Sequence, residues 1–510
     1  MVNAVDMVWK HAADQGSALA VTSDDVSWTY EELRRRIASW AVRLREADVA
    51  HGDRVLLVAP TSAEYVAVYH GILAVGAVAV TVNSTSTPSE LAHFLTDSAA
   101  RLVIASTECE AAANAVAQVA GVECWSLATH TVREAPQFTP DDLPGLAGAA
   151  IMYTSGTTGR AKGAELSHAG IIASAQSIIE ALDVTKDDRW AAALPLFHVF
   201  GQVTVMRTVL HVGATMSLLP RFDAQALLDM AVAHRITILA GVPTMWNAMV
   251  NVPQEFEKSD FASLRMAVSG GAGLPREIAR AFEQRFAVAL LSSYGLTETA
   301  AAGVCDRSGR PPKPESAGVV WPHVQVRIMD ERRRALAPGE VGEIAIRGAM
   351  VMKGYWNRPE ATAEVMHDGW FLTGDLGRMD EDDYLWVVGR KKDLIIRGGY
   401  NIYPPEVEEA LYEHPDIVEA VVLGLPDDHL GEEVAAVIAL RPGADFRGTE
   451  MRTWMAERLA GYKTPRIYHV VDELPKGATG KLLKRDIDLA AVRASGFHAG
   501  REAVEPARRE

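Results

Sequence analysis

Thr154-Ser155-Gly156-Thr157-Thr158-Gly159-Arg160-Ala161-Lys162-Gly163 brings Ser and Thr hydroxyls, three glycines and two cations together within ten residues. It follows the apolar run Ala149-Ala150-Ile151-Met152-Tyr153, which reads as a short buried strand. A loop of this composition suits a polyphosphate. Free backbone N–H groups and hydroxyls donate, the cations supply charge, and glycine lets the backbone approach a ligand closely. Taken alone, the segment fits an ordinary Gly/Thr turn with a solvated lysine equally well. It is not a Walker-type P-loop, because Lys162 follows Ala161 rather than Gly and precedes Gly163 rather than Ser or Thr.

Upstream, Thr29-Tyr30-Glu31-Glu32 has capping-box spacing and opens a helix with Leu33, Ile37, Trp40, Ala41 and Leu44 on one face. Val55-Leu56-Leu57-Val58 reads as a buried strand. The long apolar run 66–82 reads as a buried helix stopping at Gly76, followed by a strand, and it is too short for a bilayer span. Leu102-Val103-Ile104 adds another strand. Strands alternating with helical patterns predict a large α/β domain with a largely parallel sheet.

At 510 residues the chain exceeds one core, so two or more domains are expected. The composition is that of a globular protein, 48% apolar and 23% charged. A net charge of −16 leaves no broad basic field, which excludes a nucleic-acid-binding surface and confines any anion to a local pocket. Three cysteines without CxxC spacing argue against a disulfide framework or zinc site and point to a reducing cytoplasm. The first fifteen residues carry acidic groups and show no signal-peptide pattern.

Downstream, Leu194-Pro195-Leu196-Phe197-His198-Val199-Phe200-Gly201 places a histidine among aromatic and apolar residues, either a core histidine or a pocket wall. Met266-Ala267-Val268 runs into Ser269-Gly270-Gly271-Ala272-Gly273, a second glycine cluster at a strand end. Ligands gather beyond the carboxyl ends of parallel strands, so the repeated strand-to-glycine pattern hints at one shared crevice. Ser293-Tyr294-Gly295-Leu296-Thr297-Glu298 offers an aromatic face, hydroxyls and a carboxylate suited to a hard cation. Residues 319–388 read as a β-rich subdomain with strands near 324–328, 342–347 and 384–388, and Thr373-Gly374-Asp375 lies within it. From about residue 394 a compact α+β domain follows, with helices near 405–413 and 450–459 and strands near 418–423, 434–440 and 467–471. It ends on Pro475-Lys476-Gly477-Ala478-Thr479-Gly480-Lys481, which reads as a mobile loop presenting Lys481. The chain therefore divides into residues 1–391, 392–490 and a polar tail 491–510.

Together these segments resemble the adenylate-forming superfamily of acyl-CoA synthetases, peptide-synthetase adenylation domains and firefly-type luciferases. The resemblance spans residues 29–484, with the motifs in the family's order. It implies that Thr154, Ser155, Gly156, Thr157, Thr158, Gly159 and Lys162 hold the β- and γ-phosphates of ATP. Tyr294 would stack on adenine, with Gly271, Ala272, Ser293 and Gly295 around the base, and Asp375 and Arg390 would bind the ribose. Thr297 would contact the α-phosphate, Glu298 would hold Mg²⁺, and Lys481 would bridge carboxylate and α-phosphate, with His198 beside them. Lys392 matches the hinge about which the smaller domain rotates. Gly398, Gly399 and Tyr400 would then form a pantetheine tunnel.

The resemblance places His198 where peptide-synthetase domains carry an Asp for the substrate's ammonium, so the chain is similar to the fatty- and aryl-acid ligases. Val199, Phe200, Gly201, Gly241, Val242, Gly270 and Leu296 would line an uncharged acyl pocket, since an unpaired buried charge is costly. The expected activity is ATP-dependent activation of an aliphatic, fatty-type carboxylic acid to acyl-AMP and transfer to coenzyme A. The alternative acceptor is the phosphopantetheine of an acyl carrier protein. A non-catalytic nucleotide-binding regulator is the rival class, and the joint presence of Lys162, Glu298, Arg390 and Lys481 speaks against it.

Overall fold

The capping box at Thr29 forms as the spacing predicts. The Thr29 hydroxyl accepts from Glu32 N, and the Glu32 carboxylate accepts from Thr29 N at 2.8 Å, opening the helix Tyr30–Glu46. Its Leu33, Ile37, Trp40, Ala41 and Leu44 are all buried. The apolar run 66–82 divides into the helix Ala63–Ala74 and the strand Val78–Val82. That helix is apolar all round because it lies inside the core. These elements belong to a computed structural model that describes residues 2–23, 25–154, 161–254, 256–307, 309–477, 479–495 and 497–498. Among the described residues no helix is long and apolar enough to cross a membrane.

The fold is α/β, with a large N-terminal part and a smaller C-terminal one. Arg54–Val58, Val78–Val82, Leu102–Ala105, Glu123–Ser126 and Gly148–Thr154 run parallel within a seven-stranded sheet. Such strands are covered on both faces, which is why they read as unbroken apolar runs. The strand Lys162–Ser167 then returns antiparallel, with Lys162 opposite Thr154. The segments flanking the Gly/Thr stretch are therefore two paired antiparallel strands, unlike the strand and helix that flank a P-loop.

A nine-stranded sheet carries Arg189–Ala192, Ile238–Gly241, Met266–Ser269 and Leu290–Gly295 side by side and parallel. Their carboxyl ends bring Gly241-Val242, Gly270-Gly271 and Ser293–Leu296 to one edge, the shared crevice expected from the sequence. The β-rich subdomain is a five-stranded sheet in which Trp370–Met379 pairs antiparallel with Gly342–Arg347 and Leu385–Arg390. The C-terminal part has its own six-stranded sheet and its own core, including Val407, Leu411, Val422, Ile438 and Met455. Sheet membership changes between Arg390 and Ile395, and Lys392 lies in that connection.

The N-terminal residues are tied to this scaffold through Arg207, 2% exposed at the end of a π-helical segment, Phe200–Arg207. Its guanidinium donates to Ala4 O and to His211 Nδ1. His70 and His168 are fully buried, and His168 Nδ1 accepts from Ala4 N at 3.0 Å. Burial first, then the Arg207 charge, pushes His70 and His211 down to about 3 and His168 down to about 4. These three stay neutral in the folded chain but protonate near pH 6.5 once unfolded. Below that pH the unfolded state binds more protons. Stability is thus fully present above about pH 6.5 and is lost as pH falls toward 4, by up to about 1.4 kcal/mol per pH unit for each histidine. Thermal unfolding followed from pH 7.5 to 5 checks this, and a melting temperature constant across that range contradicts it.

Candidate active site

The strand end at Tyr294 meets the β-rich subdomain through one short contact. Tyr294 Oη donates to Asp375 Oδ2 at 2.8 Å, and Arg390 Nε lies 3.0 Å from Asp375 Oδ1. Asp375 and Arg390 face one another across their antiparallel pair, so the sheet register itself brings them together. Burial pushes the Asp375 carboxyl up against the opposing pull of Arg390. Ser293 Oγ donates to Ser269 O at 2.8 Å, and the Phe200 ring lies over Gly270. Gly271 and Ala272 are exposed at the opening of this edge.

Glu298, 9% exposed, sits on the turn Thr297–Thr299 just beyond the same strand. Tyr355 Oη donates to Glu298 Oε1 at 2.8 Å, and the Tyr355 ring carries Lys162 Nζ 5.2 Å from its centroid. One tyrosine thus joins the expected metal carboxylate to the expected phosphate lysine. Nothing in the periodicity around Gly354-Tyr355-Trp356 marks it, since the signal is the strand pairing of Tyr355 with Ala164. Burial pushes the Glu298 carboxyl up. Among the described residues no group of three or more His, Cys, Asp or Glu is arranged to hold a metal. A lone buried carboxylate with oxygen partners fits Mg²⁺, which binds through one or two carboxylates plus substrate phosphates.

The loop residues Ser155, Gly156, Thr157, Thr158, Gly159 and Arg160 lie outside the described residues. Their flanks are held. Tyr153 Oη donates to Asp97 at 2.9 Å, Arg358 pairs with Asp97 at 2.6 Å, and His93 Nε2 lies 3.2 Å from Ala161 O. Between these groups and His198, Val199 and Thr297 opens a cleft of ≈ 850 Å³, to which the C-terminal part contributes Arg485.

His198 faces this cleft from a turn fixed by buried hydrogen bonds. Leu196 N donates to Thr61 Oγ1, while Leu196 O accepts from Tyr65 Oη and Gln202 Nε2 at 3.1 Å each. His198 Nδ1 accepts from Phe200 N, which leaves Nε2 free of that bond. Burial, then the nearby Lys481 ammonium, brings His198 down to about 4, so it is neutral at pH 7. Lys481 is exposed to solvent. The surrounding protein and Arg390 lower its ammonium, Asp375 and Asp393 oppose them, and solvent contact limits the effect.

Two expected pocket glycines and the expected tunnel turn behave differently from a simple lining. A Cβ on Gly241 would lie 2.8 Å from the Trp246 indole, and one on Gly201 would strike Pro195 O. On that side both glycines make room for protein rather than ligand. The Gly398-Gly399-Tyr400 turn is the exposed tip of a hairpin, with the Tyr400 ring 4.7 Å from Tyr462 and 58% exposed. The loop of Lys481, not this turn, lies against the N-terminal part in the arrangement seen, through Gly480 O on Thr244 Oγ1.

Residues 8–356 match the AMP-binding enzyme family, and residues 406–481 match the AMP-binding enzyme C-terminal domain. A feruloyl-CoA synthase from Amycolatopsis sp is 40% identical over 92% of this chain and 95% of its own length. A long-chain-fatty-acid–CoA ligase from Bacillus subtilis is 42% identical over 66% of this chain and 60% of its own. The crystal structure of ATP-bound MatB from Rhodopseudomonas palustris superposes with a TM-score of 0.89 at 32% identity, covering 95% of this chain and 98% of that one. With two family domains matched in order and relatives spanning nearly its whole length, the chain belongs to the adenylate-forming superfamily, as an AMP-forming acid–CoA ligase.

Proposed function

We propose that this ligase activates an acid with an uncharged, aryl-bearing tail to acyl-AMP and passes the acyl group to the thiol of coenzyme A. The observation that carries the first step is a bond between the two parts of the chain. Thr244 Oγ1 donates to Gly480 O at 2.8 Å, seating the loop that holds Lys481 at the edge bearing Tyr294, Asp375 and His198. A carboxylate and a phosphate repel one another, and a cation fixed between them offsets that charge as the new bond forms. Lys481 supplies it. Glu298 would hold Mg²⁺, whose charge would offset that of the pyrophosphate. Tyr294 would hold the base, Asp375 and Arg390 the ribose, Thr154 and Lys162 the outer phosphates, and Thr297 the α-phosphate. Neutral His198 walls the reacting centre without adding charge.

An aliphatic tail is the expectation from the pocket residues alone. Support for an aryl acid comes from the feruloyl-CoA synthase, 40% identical over 92% of this chain, against 33% over 91% for a long-chain-fatty-acid–CoA ligase. ATP–pyrophosphate exchange across ferulate, indoleacetate, 2-succinylbenzoate and saturated acids of graded length tests the reading. It is then repeated as thioester formation with coenzyme A and with a phosphopantetheinylated carrier protein. Strongest exchange with an aryl acid and transfer to coenzyme A are expected. Exchange with saturated acids alone restores the fatty-acid reading, and none with any acid overturns the activity.

Transfer requires Lys481 to leave and Gly398-Gly399-Tyr400 to enter, a change the Lys392 connection would absorb. Lys392→Pro is expected to keep adenylation and lose transfer to coenzyme A by at least about tenfold, because proline fixes φ and removes a donor. Lys392→Ala, which removes only the charge, is expected to keep both. The comparison is two half-reactions measured separately. Equal damage from Ala and Pro would assign the effect to charge and remove the hinge.

A further inference from the structure

We infer that Thr244 is a positioning residue for Lys481, the fixed half of a latch that holds the C-terminal part in its adenylating arrangement. The inference rests on the role proposed above for Lys481. Thr244 is the second residue of the helix Pro243–Val250, which starts where the strand Ile238–Gly241 reaches the site. Its hydroxyl does not cap that helix. The N-cap is Val242, which makes no side-chain cap bond. The hydroxyl instead crosses to the other part of the chain and donates to Gly480 O at 2.8 Å.

The partner is shaped for this approach. Gly480 has φ +78°, and a Cβ there would lie 2.9 Å from Thr244 Oγ1 and 3.4 Å from Val242 Cγ2. A side chain at 480 would be strained and would push the two surfaces apart. The loop that follows is internally braced. Gly477 N donates to Lys481 O and Leu483 N to Pro475 O, both at 2.8 Å, and Lys476 pairs with Glu419 at 2.7 Å. With these bonds tying the described residues of the loop to one another, the place of Lys481 is set by where the loop docks. Thr244 sets that dock one residue away from the ammonium.

Other cross-links from the same region are weaker or more remote. Asn247 Nδ2 reaches Val418 O, and Arg441 reaches Asn251 Oδ1, at 3.4 Å each. Arg276 N donates to Glu409 Oε1 at 3.0 Å, on a different helix of the C-terminal part. The Thr244–Gly480 bond is made only while Lys481 is seated, so the second half-reaction has to break it. A residue of this kind acts on one half-reaction and not the other.

The test uses the full chain, the acid giving strongest pyrophosphate exchange in the panel above, and its synthetic adenylate. Thr244→Val keeps the shape and removes the donor. It is expected to slow adenylation roughly 3- to 10-fold, the worth of one hydrogen bond, and to leave transfer from supplied adenylate at least as fast as wild type. Thr244→Ser is expected to restore adenylation. Equal slowing of both half-reactions, without rescue by Ser, would make Thr244 a packing residue and overturn the inference. Wild-type adenylation in Thr244→Val overturns it as well. Lys481→Ala, run beside them, separates the two levels. If it lowers adenylation while Thr244→Val does not, only the latch fails. If it leaves adenylation intact, the reading of Lys481 fails and the latch with it.

Discussion

Lys481→Ala is expected to lower acyl-adenylate formation by on the order of 10²–10³ while sparing thioester formation from supplied acyl-AMP. The reason is the charge arrangement around the cleft. Arg390 is engaged by Asp375, and His198 is neutral at pH 7, so neither compensates for a missing cation at the reacting centre. Lys481 lies within electrostatic reach of His198, Asp375 and Arg390. Alanine removes the ammonium and leaves the braced loop, whose bonds run through the backbone of residues 475, 477, 480, 481 and 483. Melting temperature should therefore hold while pyrophosphate exchange collapses. In the proposed second half-reaction Lys481 has left the site, and that step should proceed. A parallel fall in both half-reactions would make Lys481 structural.

The legible features of the chain are those written in local chemistry. The capping box at Thr29, the apolar face from Leu33 to Leu44 and the glycines at strand ends each state their structure within a few residues, and each is found. The strand Trp370–Met379 was hidden because Gly374, Asp375, Gly377 and Arg378 break its alternation. Its polar residues are there for the site, and pairing on both sides supplies the order that propensity lacks. The π-helical turn Phe200–Arg207 was hidden for a similar reason, since its apolar spacing suits an ordinary helix and the buried Arg207 finds its acceptor Ala4 O 203 residues away. Tyr355 and Thr244 were not legible at all. Each acts through a partner that is more than fifty residues away, and only the tertiary fold defines that neighbourhood.

Glu298→Gln is expected to remove most Mg²⁺-dependent turnover, a loss on the order of 10²-fold, without unfolding the chain. The amide keeps the size of the carboxylate and can still accept from Tyr355 Oη, so the packed turn Thr297–Thr299 is retained. What it loses is charge. A hard dication shared between one carboxylate and substrate phosphates depends on that charge, because a neutral amide oxygen is a far weaker ligand. Burial already pushes the Glu298 carboxyl up, which marks a charge the protein itself leaves poorly compensated and a nearby cation would stabilise. Tyr355→Phe separates charge from position. It leaves the carboxylate and the ring under Lys162 but removes the donor, so the half-saturating Mg²⁺ concentration should rise only a few-fold, the scale of one hydrogen bond. Calorimetric titration of each variant with MgATP gives a readout independent of turnover, and the affinity loss should rank Glu298→Gln above Tyr355→Phe. An unchanged Mg²⁺ dependence in Glu298→Gln would move the metal to another ligand and leave Tyr355 with a packing role only.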